Sequence, residues 1–158
     1  MNYLVLAGII LFSSLIAYQD FKSRSISVLY LLGFTLVAFS YGVIQFQLKQ
    51  TLLYFSFNLL FIAFQASVLL LYYYIKYRNF KSLLGSIGGA DIWVIISLAF
   101  SFDLQRFIIF MSLSLIASLL FYSVINNITD RKIKEIPLAG ILVVCCSVFL
   151  TLKLAGLF

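Results

Sequence analysis

Apolar runs of membrane-crossing length follow one another along almost all of this chain, with only short charged interruptions. A hydrocarbon core about 30 Å thick needs about 20 consecutive apolar residues per helical crossing. Of the 158 residues, 64% are hydrophobic and 10% charged, which is more apolar surface than a soluble domain of this size can hide. The runs place spans at 2–19, 26–45, 51–75, 83–102, 107–125 and 136–155. The expectation is an all-α membrane protein of six transmembrane helices, forming one integral domain over residues 1–158. The first run lacks a basic leader region and a small-residue cleavage site, so it reads as a retained span.

The loops alternate in charge. Lys22, Arg24, Lys76, Arg78, Lys81, Arg131, Lys132 and Lys134 fall on one side; Lys49, Arg106 and Lys153 fall on the other. Positive residues stay cytoplasmic, which puts both termini outside. The net charge of +6 is therefore a topology signal. Charges scattered over short loops do not make a nucleic-acid surface, so no nucleic acid is expected as a partner. Tyr72, Tyr73, Tyr74 and Tyr77 end the third span as an interfacial belt.

Within this apolar background Asp91 stands out, directly after Gly88, Gly89 and Ala90 in a stretch with hardly another charge. A carboxylate inside a membrane run costs about 3 kcal/mol or more, so it marks a functional position or one reached by water or a partner. Gly85, Gly88 and Gly89 disfavour a straight helix. A break here starts the true helix near Asp91 and leaves Ile92 to Phe102 to finish the crossing. Irregular backbone at such depth must be buried in protein or face a watery cavity, so 82–91 is expected to line a polar pocket open to the cytoplasm. Asp20, at the cytoplasmic end of the first span, is the other candidate acid.

The chemical inventory is short. There is no His, and Cys145 and Cys146 are adjacent in an apolar run, where they read as small packing residues. Ser–His and Cys–His sites are excluded. Carboxylate-only metal ligation wants hard cations and more acids than this chain offers, so neither a metal nor a cofactor is expected. A carboxylate pair remains. Two close carboxyls resist ionising together, so one holds a proton while its neighbour is charged. The charged one takes a proton from water and the neutral one polarises a carbonyl.

Each acid also has a plainer reading. Asp91 is then only the N-cap of a helix after a glycine turn, and Asp20 an interfacial charge balancing Lys22 and Arg24. Asp103 beside Arg106, and Glu135 beside Lys134, read as surface acids. Asp130 is a reserve candidate, because residues 130–137 echo residues 20–27: an acid, basic residues at +2 and +4, and Ile at +6.

The ordered set of motifs resembles the type IV prepilin peptidases and related preflagellin peptidases, which are membrane aspartyl proteases. Asp20, Lys22, Arg24 and Ile26 match the segment opened by that family's first catalytic Asp. Gly88, Gly89, Ala90 and Asp91 are similar to its Gly-x-Gly-Asp motif, and Ile136, Pro137, Leu138, Ala139 and Gly140 to a later Ile-Pro-small segment. Two positions depart: Ala90 stands where a Gly is usual, and Trp93 where a Lys is common. Those departures point either to a divergent specificity or to an inactive relative. The resemblance implies that Asp20 and Asp91 are the catalytic acids. It further implies that the substrate is a prepilin-like precursor with one hydrophobic helix, cut at the cytoplasmic face of a prokaryotic inner membrane. The match is nearer the minimal members, without the Cys-x-x-Cys domain of the bifunctional ones, so methyl transfer is not expected. From the residues alone, a small proton-coupled transporter and an inactive docking homologue stay open. Outside Asp91, the spans offer a carrier Asn58, Gln65 and scattered Ser, which is thin.

Overall fold

A computed structural model of the chain describes residues 3–77, 88–128 and 138–154. Five helices occupy them: α1 (Tyr3–Ser23), α2 (Val28–Tyr77), α3 (Gly89–Leu98), α4 (Leu104–Ile128) and α5 (Leu138–Leu154). No strand occurs among the described residues.

The boundaries have local causes. α1 ends where Arg24 turns left-handed, at φ 52°, and its N–H donates to the Asp20 carbonyl at 3.1 Å. The Gln19 side chain accepts from the Ser27 N–H at 2.8 Å and fastens the loop back onto the helix. Ser27 then opens α2, its carbonyl accepting from the Tyr30 and Leu31 amides. The first helix thus runs past the expected end at residue 19, so Asp20 lies in its last turn and not beyond it.

The expected second and third spans are joined differently from a loop. Helical structure continues from 28 to 77, interrupted at Gln47, whose φ of 66° and ψ of 155° lie outside the helical region. That one residue reverses the chain. Phe39 and Phe55 both pack on Phe100, at ring distances of 5.4 and 3.8 Å. A straight helix would hold residues 39 and 55 about 24 Å apart. Phe46 and Tyr54 likewise meet across the bend, at 5.2 Å.

α3 is only 10 residues long, about 15 Å, half the thickness of a bilayer core. It stops where Ala99 to Ser101 turn back on Ile95 to Leu98. Asn58, fully buried, donates its amide to the carbonyls of Ala99 and Phe102 at 2.9 and 2.8 Å. Orphan carbonyls at a buried helix end need such a partner. Asp103 caps α4, accepting from the Arg106 N–H at 2.8 Å, with the guanidinium 3.4 Å from its other oxygen.

The core is apolar and joins all five helices: Ile9, Ile16, Phe34, Val94, Phe107 and Leu142 are among its fully enclosed members. α5 is the hub, packing against α1, α3 and α4. Elsewhere large apolar side chains point outward along every helix, as they do where the surrounding solvent is hydrocarbon. Three helical segments are long and apolar enough to cross a membrane, Tyr3–Ser23, Val28–Lys76 and Leu104–Phe121; Gly89–Leu98 and Leu138–Lys153 are shorter.

Candidate active site

The first turn of α5 carries an unusual demand. Ala139 to Val143 are five consecutive buried residues, so this helix begins inside protein on all sides. The first four amides of a helix have no partner within it, and burial of Ala139 to Val143 makes side-chain partners valuable here. Two carboxylates meet the demand. The Ala139 N–H donates to Asp91 Oδ1 at 2.8 Å, and the Gly140 N–H donates to Asp20 Oδ2 at 2.7 Å. Two acids far apart in sequence thus occupy adjacent amides, which holds the bonded oxygens within about 8 Å of each other.

Each acid is delivered by its own element. Asp20 is buried, in the last turn of α1 where that helix packs on α5. Asp91 is half-buried in the first turn of α3. The N-cap of α3 is Gly88, in extended conformation, and Asp91 follows three residues later. This corrects the plainer reading of Asp91, which is not the N-cap of its own helix; Asp20 is buried and bonded to α5 as well as attracted by Arg24. Each bonds the start of a different helix. A helix N-terminus favours negative charge, whereas each carboxylate opposes charge on the other. Arg24 adds attraction to Asp20 through space.

Two glycines make the approach possible. A Cβ on Gly140 would lie 3.0 Å from Asp20 Oδ2 and 3.3 Å from the Phe21 ring. A Cβ on Gly88 would lie 2.8 Å from Asp91 Oδ2. Gly89, by contrast, faces open space. Ala90 sits in ordinary helix, packed against the core, without the positive φ that would call for glycine. The methyl at that position therefore meets no backbone constraint.

The other described motif residues lie on or next to the helices that carry the pair. Lys22 is exposed on α1, donating to the Tyr18 hydroxyl at 3.0 Å and lying over that ring. Arg24 forms the left-handed end of the same helix. Trp93 points its indole N–H at the Thr35 hydroxyl, 3.0 Å away, and Thr35 shares a 2.7 Å hydrogen bond with Ser97. These bonds tie α3 to α2. Asp130, Ile136 and Pro137, and the expected pocket wall before Gly88, lie outside the described residues.

Sequence reasoning missed what the acids would bind. The signal was in the residues after Pro137: a proline followed by Ala139 and Gly140 marks a helix start whose small side chains let another group reach the amides. The capping role of Asn58 had no local signal, because its partners lie far along the chain. Among the described residues no cluster of three or more metal-ligating side chains occurs.

No family model, no curated protein and no solved structure matches the chain. What fold and site define is an all-helical protein of membrane character, with two carboxylates gathered at the buried start of one helix.

Proposed function

We propose that this chain is a membrane aspartyl endopeptidase, with Asp20 and Asp91 as its acid pair. In this reading it removes the leader of a prepilin-like, single-helix precursor at the cytoplasmic face of a prokaryotic inner membrane. The observation that carries it is the seating of both carboxylates on the adjacent amides of Ala139 and Gly140.

Each acid commits one oxygen to α5, and Asp91 is held in addition by the Gly88 backbone. The ionised member takes a proton from a water molecule, whose oxygen attacks the peptide carbonyl carbon. The protonated member donates to the carbonyl oxygen, and the departing amine receives the proton as the C–N bond breaks. Only one proton needs to reside on the pair before reaction. No cofactor enters the scheme. The backbone bonds fix both carboxyls on rigid helices, which is the positioning that such chemistry needs.

The proposal includes six crossings, with the two limbs of α2 counted separately and both termini outside. Lys22 and Arg24 then share the cytoplasmic face with the acids, while Arg106 and Lys153 mark the far end. The carrier alternative would need polar groups lining a route through the spans; Asn58 spends both its donors on backbone carbonyls, and Asn58 Oδ1 and Ser13 Oγ are the buried side-chain atoms without a partner among the described residues.

Co-expression with a prepilin-like precursor tests the reading. Asp20→Asn and Asp91→Asn each abolish cleavage while the protein still accumulates folded in membranes, and Asp130→Asn cleaves. Cleavage by either of the first two variants rejects the assignment. Loss in Asp130→Asn with activity in Asp20→Asn moves the second acid to position 130.

A further inference from the structure

Away from the acids, α4 and α5 leave a groove of about 700 Å³ between them. Its walls are apolar side chains such as Leu113, Ala117, Val144 and Val148, and one end is closed by Asp103 and Arg106. This end is the far one from Asp20 and Asp91, since α5 places Gly140 at its start and Leu152 near its finish. A hydrocarbon-facing groove of this size, left empty, would forfeit the dispersion contacts of everything lining it. Its volume suits an acyl chain, with methylenes filling about 27 Å³ each in a close-packed interior.

The polar end narrows the choice of occupant. Asp103 is already used, both oxygens facing Arg106 and its own capped amide. The Arg106 side chain, 47% exposed, has five N–H donors, and its ion pair with Asp103 engages only part of that fork. Lys153, nearby on α5, turns its amine to the Tyr41 hydroxyl and the Gln45 side chain, which leaves Arg106 as the cation at this end of the groove. An exposed guanidinium beside a tail-sized slot matches a phosphate esterified to a lipid.

We infer that the α4–α5 groove is a binding site for one glycerophospholipid, an acyl chain lying between the helices and the phosphate on Arg106. The site is independent of the peptidase reading.

The test uses the full chain, delipidated in detergent, with binding read by native mass spectrometry and by the thermal midpoint. Phosphatidylglycerol is expected to bind one per chain and to raise the midpoint. Diacylglycerol with the same tails binds about tenfold more weakly, having lost a charge-assisted contact. Glycerol 3-phosphate, which has no tail, leaves the midpoint unmoved. Arg106→Gln brings the phospholipid down to the affinity of diacylglycerol, and Ala117→Phe, which fills the slot, removes both lipids. Val144→Trp fills it from the opposite wall if Ala117→Phe does not fold. Equal affinity for the two lipids, no effect of Arg106→Gln, or one lipid still bound after the slot is filled overturns the inference.

Discussion

The two ends of this helical bundle use polar groups in opposite ways. At the α3–α4 turn, Asn58 gives both amide protons to the carbonyls of Ala99 and Phe102. Phe55, Phe100, Phe102, Phe110 and Phe149 stack around that turn. Every donor there is spent on architecture. At the other end, Asp20 and Asp91 each give one oxygen to an α5 amide, and Asp91 also bonds the Gly88 backbone. The first arrangement closes a chain reversal; the second gathers two carboxylates from different helices at one helix start. A buried polar group is thus no functional marker by itself: Asn58 keeps a buried, unpartnered Oδ1, and what separates the acids from it is their ionisable chemistry and their meeting on adjacent amides.

That contrast can be broken by experiment. Asp20→Asn or Asp91→Asn should lower cleavage by about 10³-fold or more, with little loss of folded protein, because the amide can still accept the α5 hydrogen bond. Asn58→Leu should do the reverse. It strands two buried carbonyls at about 1–3 kcal/mol each, so detergent stability falls by about 3 kcal/mol while any protein that stays folded still cleaves. A catalytic defect in folded Asn58→Leu that exceeds the defect of the Asp variants would erase the distinction.

Smaller changes sharpen it. Gly140→Ala puts a methyl 3.0 Å from Asp20 Oδ2 and displaces the carboxylate by a few tenths of an ångström. Activity should fall about tenfold with the thermal midpoint nearly unchanged. Equal losses in both would mean that the glycine serves packing alone. Trp93→Phe removes the indole N–H bond to Thr35, and about 1 kcal/mol of stability is expected to go with it. The smallest effect belongs to Ala90→Gly: with no positive φ at that position, restoring the more usual residue should leave cleavage within about twofold.

Much of the helical architecture was legible because apolar run length is a local property. The first, fifth and sixth expected spans correspond to α1, α4 and α5 with shifted ends. The fourth was foreseen as short and glycine-led, and α3 begins at Gly89. The reversal at Gln47 was not legible as a single residue, because neither its type nor its neighbours are turn formers; packing of Phe100 between the two limbs fixes it. Among the candidate residues, Asp91 stood out by its cost in hydrocarbon, and Asp20 by its place at the end of the first span and its motif resemblance. Their binding to Ala139 and Gly140 did not, since backbone amides carry no sequence label and the pairing depends on where α5 packs.

The gathering of the acids at the start of α5 is most directly tested by a disulfide. With Cys145 and Cys146 replaced by alanine, Asp20→Cys is combined with Gly140→Cys in native membranes. The Asp20 Cβ lies 3.3 Å from where a Cβ at 140 would stand, close to the ~3.8 Å typical of a disulfide. Mild oxidation should crosslink this pair efficiently, and should leave Asp103→Cys with Gly140→Cys uncrosslinked. Failure of the first pair to form while the second forms would contradict the account.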